Sequence, residues 1–107
     1  MLYELRSYEA VPGRMAALHA RFQNHTLGFF AKHGIKVVGF WEATIGESNV
    51  LHYILAWESL AARERIWAGF LADPEWQRVR DDSQRDGPIV ARIRNEIWQP
   101  TPYSPMK

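Results

Sequence analysis

A chain of 107 residues with a formal net charge of +1, 23% charged and 47% hydrophobic residues is one domain by size, and it lacks the basic footprint of a nucleic-acid or anionic-membrane binder. Its lack of cysteine excludes disulfides, thiolate metal sites and cysteine nucleophiles together, and fits a cytoplasmic location. No apolar run approaches the roughly 20 residues of a membrane span, and the chain opens without the basic head and apolar core of a secretory signal.

The first element, Leu2 to Tyr8, alternates Tyr3 and Leu5 with Glu4 and Arg6 and predicts a half-buried strand. Val11-Pro12-Gly13 breaks it, and Pro12 suits the start of a helix whose apolar stripe runs Met15, Leu18, Phe22 and Phe29, with His25 on the same stripe. Gly34 supplies a left-handed cap, with Lys32 and His33 beside the negative end of the helix dipole. Ile35 to Ile45 and Asn49 to Trp57 form a hairpin around the turn residues Gly46-Glu47-Ser48-Asn49, and both strands are apolar on both faces. Ser59 caps a second helix with Leu60, Trp67, Phe70 and Leu71 inward, and Asp73-Pro74-Glu75-Trp76 restarts it in a new direction. After the Gly87-Pro88 break, Ile89 to Trp98 alternates as a fourth strand, and the proline-rich residues 99–107 form an extended arm on a single domain spanning 1–107.

The order βαββαβ with right-handed crossovers predicts an α+β, ferredoxin-like fold: a four-stranded antiparallel sheet, order 4-1-3-2, with the helices on one face. Choosing the more apolar set on each strand sends Leu5, Val37, Trp41, Tyr53, Leu55, Trp57, Ile93 and Ile97 toward the helices. The open face then carries Glu4, Arg6, Tyr8, Val38, Phe40, Glu42, His52, Ile54, Arg92, Arg94, Glu96 and Trp98. An apolar patch of that kind calls for a lid, and a second copy of the sheet is the simplest one, giving a homodimeric barrel.

His52 is the catalytic candidate, an imidazole on the open face within range of Glu4 or Glu42 as a general base; its alternative is an interface residue. Arg6, Arg92 and Arg94 face Glu4 and Glu96 on neighbouring strands, where they form a salt-bridge row unless one arginine lacks its carboxylate and holds an acidic ligand. Glu4, Arg6, Tyr8, Phe40, His52 and Arg94 are thus the candidate ligand-binding residues. His19 and His33 read as exposed, no histidine pair has metal-ligand spacing, and no glycine-rich phosphate loop or Gly-x-Ser-x-Gly elbow is present, so neither metal nor cofactor is expected. The tryptophans Trp41, Trp57, Trp67 and Trp76 are assigned to the core, and Trp98 to the open face.

The Tyr3–Tyr8 opening YELRSY, Pro12-Gly13, His33-Gly34, Gly39-Phe40-Trp41, Ser59 followed by Arg63, Asp73-Pro74-Glu75-Trp76 and the PTPYSP tail together resemble the NIPSNAP family from end to end. The resemblance implies a dimeric α+β barrel, a fold shared with cofactor-independent monooxygenases, decarboxylases and stress-related binding proteins, and a bacterial-type single-domain member lacking the targeting segment of eukaryotic relatives. Three functions stay open: a homodimer binding a small apolar ligand with an acidic group between its sheets, a protein-interaction module using its dimer surface and arm, and, by fold analogy alone, a cofactor-independent monooxygenase.

Overall fold

The computed structural model describes residues 1–107. Strand β1 (Leu2–Ala10) leads into a helical run made of α1 (Met15–Arg21), a π-helical turn (Phe22–Thr26) and α2 (Leu27–His33). Strands β2 (Lys36–Glu42) and β3 (Val50–Trp57), helices α3 (Leu60–Leu71) and α4 (Pro74–Ser83), and strand β4 (Val90–Trp98) follow. The sheet is antiparallel throughout, in the order β2-β3-β1-β4.

Local chemistry accounts for the ends of these elements. Gly34 closes α2 at φ 75°, a conformation cheap only for glycine, and the Ile35 amide then donates back to the Phe30 carbonyl at 2.8 Å. The Ser59 hydroxyl accepts from the Ala62 amide at α3, and the Asp73 carboxylate accepts from the Glu75 amide at α4, with Pro74 in the first turn where its missing N–H costs nothing.

The helices cover one face. Leu18, Phe22, Phe30, Tyr53, Leu55, Trp57, Phe70, Trp76 and Ile89 make the buried core there. The π turn changes the helical stripe: one extra residue per turn brings Thr26 and Phe30 under Phe22, so Phe30 is the buried ring, Phe29 lies at the edge and His25 is exposed. Leu60 and Leu71, expected to point inward, are both largely exposed.

Two strands turn over relative to the expected parity. On β1 the polar set faces the helices: Glu4, Arg6 and Tyr8 are buried, while Leu5 and Ser7 lie on the open face. On β2 a bulge between Val37 and Gly39 leaves Val38 without a cross-strand partner. Phe40 therefore sits opposite Tyr53 and stacks on it with centroids 5.1 Å apart, Glu42 moves to the helix side beside His19, and Trp41 is turned out beside His52, half exposed. Gly39 permits this, since a Cβ there would meet the Trp41 indole at 2.8 Å. The expected placement holds on β3 and β4: Tyr53, Leu55 and Trp57 are buried on the helix side, and Arg92, Arg94, Glu96 and Trp98 are on the open face. No helix is long and apolar enough to cross a membrane.

Candidate functional site

The centre of the helix-facing side is polar. Glu4 has no exposed surface, and its carboxylate accepts from Arg63 Nε and Nη2 at 2.8 and 3.0 Å, Arg6 Nη1 at 3.1 Å, Trp57 Nε1 at 3.0 Å and Asn95 Nδ2 at 2.9 Å. Burial works to keep that carboxyl protonated, but the donors of Arg63 and Asn95, the Arg6 charge and the Trp57 N–H outweigh it and lower the pKa to about 2. A buried carboxylate facing two guanidinium groups is an internal ion pair, with its lone pairs taken by donors from β1, β3, α3 and β4.

Arg6 extends the network away from Glu4. Its Nε donates to Tyr53 Oη at 2.8 Å and its Nη2 to Tyr8 Oη at 3.2 Å, while its guanidinium carbon lies 4.5 Å from the Trp67 ring centroid. Burial disfavours the Arg6 charge, yet the Tyr8 and Tyr53 oxygens and the Glu4 carboxylate hold its pKa above the ordinary arginine value. Tyr53 donates to Tyr8 Oη at 2.8 Å, and burial, then the neighbouring Tyr8, push its own pKa well up.

Beside this network, between the sheet and the helices, lies a cleft of about 370 Å³. Its wall combines Phe22, Phe30, Trp67, Phe70 and Trp76 with Val90 and Ile93, and its ionisable members are Arg6, Tyr8, Arg21 and Arg80. No carboxylate lines it. Arg21 is disfavoured as a cation by burial and by the Arg80 charge, only partly offset by the Tyr8 and Tyr53 oxygens. Its Nη1 donates to Ser83 Oγ at 3.3 Å, but its Nε and the indole N–H of Trp76 are buried with no hydrogen-bond partner. Such donors are costly to leave unmet. The arrangement favours an anionic group with an apolar body and has neither histidine nor carboxylate to act as a base there.

The candidate residues from the sequence divide between the two faces. Glu4, Arg6, Tyr8 and Phe40 come together under the helices, Phe40 through its rings with Phe22 and Tyr53 rather than as part of the cleft wall. His52 and Arg94 are on the opposite side of the sheet. There the Ser7 hydroxyl and His52 Nδ1 are 2.8 Å apart with no carboxylate beyond the imidazole, and Arg94 lies 3.7 Å from Glu47. His33, expected in solvent, is half buried with Nε2 2.7 Å from Asp73, whose carboxyl the neighbouring Lys32 and then His33 hold well below the usual range against the small effect of burial. Nowhere do three histidine, aspartate or glutamate side chains gather closely enough for a metal ion.

Arg21, Arg80, Tyr53 and Asn95 are not among the residues the sequence marks as a site, and Arg63 is marked there only by the family pattern. The available signal was weak: Tyr53 shares parity with Leu51 and Leu55 on β3, and Arg21 and Arg80 are arginines at the inner edge of amphipathic helices. The open face carries its own apolar groove of about 380 Å³, walled by Tyr3, Val38, Trp41, Ile54 and Trp98 with Pro100 and Met106 of the arm.

Comparison with known proteins agrees with this fold. The family model described as NIPSNAP matches residues 3–105. The chain is 26% identical over 106 residues to Protein NipSnap homolog 2 of Danio rerio, covering 99% of this chain but 35% of that protein, so it spans about a third of that relative's length. A NIPSNAP family protein of unknown function from Agrobacterium tumefaciens has 28% identity and a TM-score of 0.86, over 100% of this chain and 94% of that one. A protein from Deinococcus radiodurans described as a candidate antibiotic biosynthesis monooxygenase has 13% identity and a TM-score of 0.62, over 94% and 93%, and shares the fold alone.

Proposed function

The chain belongs to the NIPSNAP family, and from that premise we propose that it binds a small apolar ligand carrying an acidic group, in the cleft between sheet and helices. The observation that carries this is Arg21, which pairs with no carboxylate, beside Arg6 and Arg80, which pair with Glu4 and Asp81 outside the wall, around an aromatic cleft lined by no carboxylate. A cleft of 370 Å³ falls within the roughly 300 to 1,000 Å³ typical of small-molecule sites, where a few placed polar groups orient a mostly apolar ligand. Arginine presents two parallel N–H groups to a carboxylate, and desolvation strengthens the pairing. The ligand sits within one chain, on the other side of the sheet from the inter-sheet interior expected from the sequence.

The open face supports a second element of the reading, a homodimer. Trp41 is 50%, Trp98 42% and Val38 41% exposed on one face, a grouping of large apolar side chains that a second copy of the sheet would cover.

Isothermal titration of 1-naphthoate against its methyl ester tests the ligand reading. The acid should bind and the ester should not, with affinity lost in the double variant Arg21→Gln/Arg80→Gln. Equal binding of acid and ester, or no binding of either, overturns it.

A further inference from the structure

We infer that Tyr8 is the specificity-determining donor of this cleft, its hydroxyl hydrogen bonding the carboxylate of an aromatic acid; the inference rests on the ligand reading above and deepens it. A phenol has one O–H to donate and two lone pairs to accept with. Tyr53 has no exposed surface and does not line the cleft, and its oxygen already accepts from Arg6 Nε at 2.8 Å. Its hydrogen therefore goes to the one acceptor beside it, Tyr8 Oη at 2.8 Å. Tyr8 Oη also accepts from Arg6 Nη2 at 3.2 Å, which fills both of its lone pairs. Its own hydrogen has no acceptor in the chain, and Tyr8 lines the cleft. The reverse direction, Tyr8 donating to Tyr53, would leave the Tyr53 hydrogen stranded in a fully buried position, which is the costlier arrangement.

The relay Arg6 to Tyr53 to Tyr8 thus ends in a polarised O–H aimed at the cleft. With the unpartnered Arg21 Nε and Trp76 Nε1, it adds three donors to a wall whose acceptors are the Thr26 hydroxyl and the Gln84 amide oxygen and which holds no carboxylate, a balance that suits an ionised oxygen pair. The surrounding rings of Phe22, Phe30, Phe70 and Trp76 make the apolar body of that acid aromatic.

The test compares wild type with Tyr8→Phe for 1-naphthoate and for the neutral 1-naphthalenemethanol. The expected result is a loss of about tenfold or more for the acid in Tyr8→Phe, the scale of a hydrogen bond to a charged group, with no binding of the neutral alcohol to either protein. Equal acid affinity in both proteins overturns the Tyr8 assignment while leaving the ligand reading standing. Failure of the wild type to bind the acid overturns the ligand reading and this inference with it. Should Tyr8→Phe not fold, the ¹³Cζ resonance of Tyr8 in the wild type, assigned as the one left by Tyr3→Phe, Tyr53→Phe and Tyr103→Phe, must move on titration with naphthoate, and a static resonance overturns the assignment.

Discussion

Replacing Glu4 by glutamine removes the one negative charge that Arg6 and Arg63 share while nearly preserving its shape. The amide keeps one acceptor oxygen, but its NH₂ then faces guanidinium donors, so the buried Arg6 loses its counter-ion and the part-buried Arg63 is left with Glu64 alone, 3.8 Å away. Two routes give the magnitude. Breaking a buried ion pair from one side costs about 3 to 5 kcal/mol. Independently, a carboxyl whose pKa falls from 4.5 to about 2 on folding contributes about 3 kcal/mol at about 1.4 kcal/mol per tenfold. Against a total of roughly 5 to 15 kcal/mol for a domain of this size, that is a large fraction. The pH dependence has a definite sign. A pKa depressed by folding stabilises fully above the unfolded value of 4.5 and loses that contribution as pH falls toward about 2. Urea denaturation at pH 7 should therefore show Glu4→Gln about 3 kcal/mol less stable than wild type, and the gap should close steadily as pH falls below about 4.5. A gap under about 1 kcal/mol at pH 7, or one that stays constant down to pH 3, refutes the view of Glu4 as an ionised centre of the network.

Two further outcomes follow from the geometry. Light scattering at micromolar concentration should give the mass of two copies for the wild type and of one for Trp41→Arg, since the apolar groove that would receive the guanidinium has no carboxylate in its wall; a monomeric wild type, or an unchanged mass in the variant, sinks the homodimer. Gly34→Ala should lower stability by about 1 kcal/mol in a circular-dichroism melt, because φ is 75° there while an added Cβ meets nothing within 4 Å, so the cost is backbone alone; an unchanged or higher melting temperature contradicts that account.

Much of the fold was legible because its punctuation is local. Pro12-Gly13, the Gly34 cap, the Ser59 and Asp73 caps and Gly87-Pro88 act within a few residues of themselves, so element order, strand order and the single helical layer followed from spacing and handedness. The candidate site was half legible: Glu4, Arg6, Tyr8 and Phe40 were named, but on the wrong face. Alternation sorts a strand into two sets without saying which set faces in, and the rule that apolar residues go inward failed on β1. There the inward polar set is satisfied by Trp57, Arg63 and Asn95, which lie 53, 59 and 91 residues away along the chain. On β2 one bulged residue at Val38 exchanged Phe40 with Trp41.

The amino-acid sequence by itself determined the elements, their order and the family pattern, since capping, turn and periodicity preferences are short-range. Only the tertiary structure decided that Glu4 and Arg6 lie inside, because burying a charge becomes acceptable only when its partners arrive, and those partners are neighbours in space rather than along the chain.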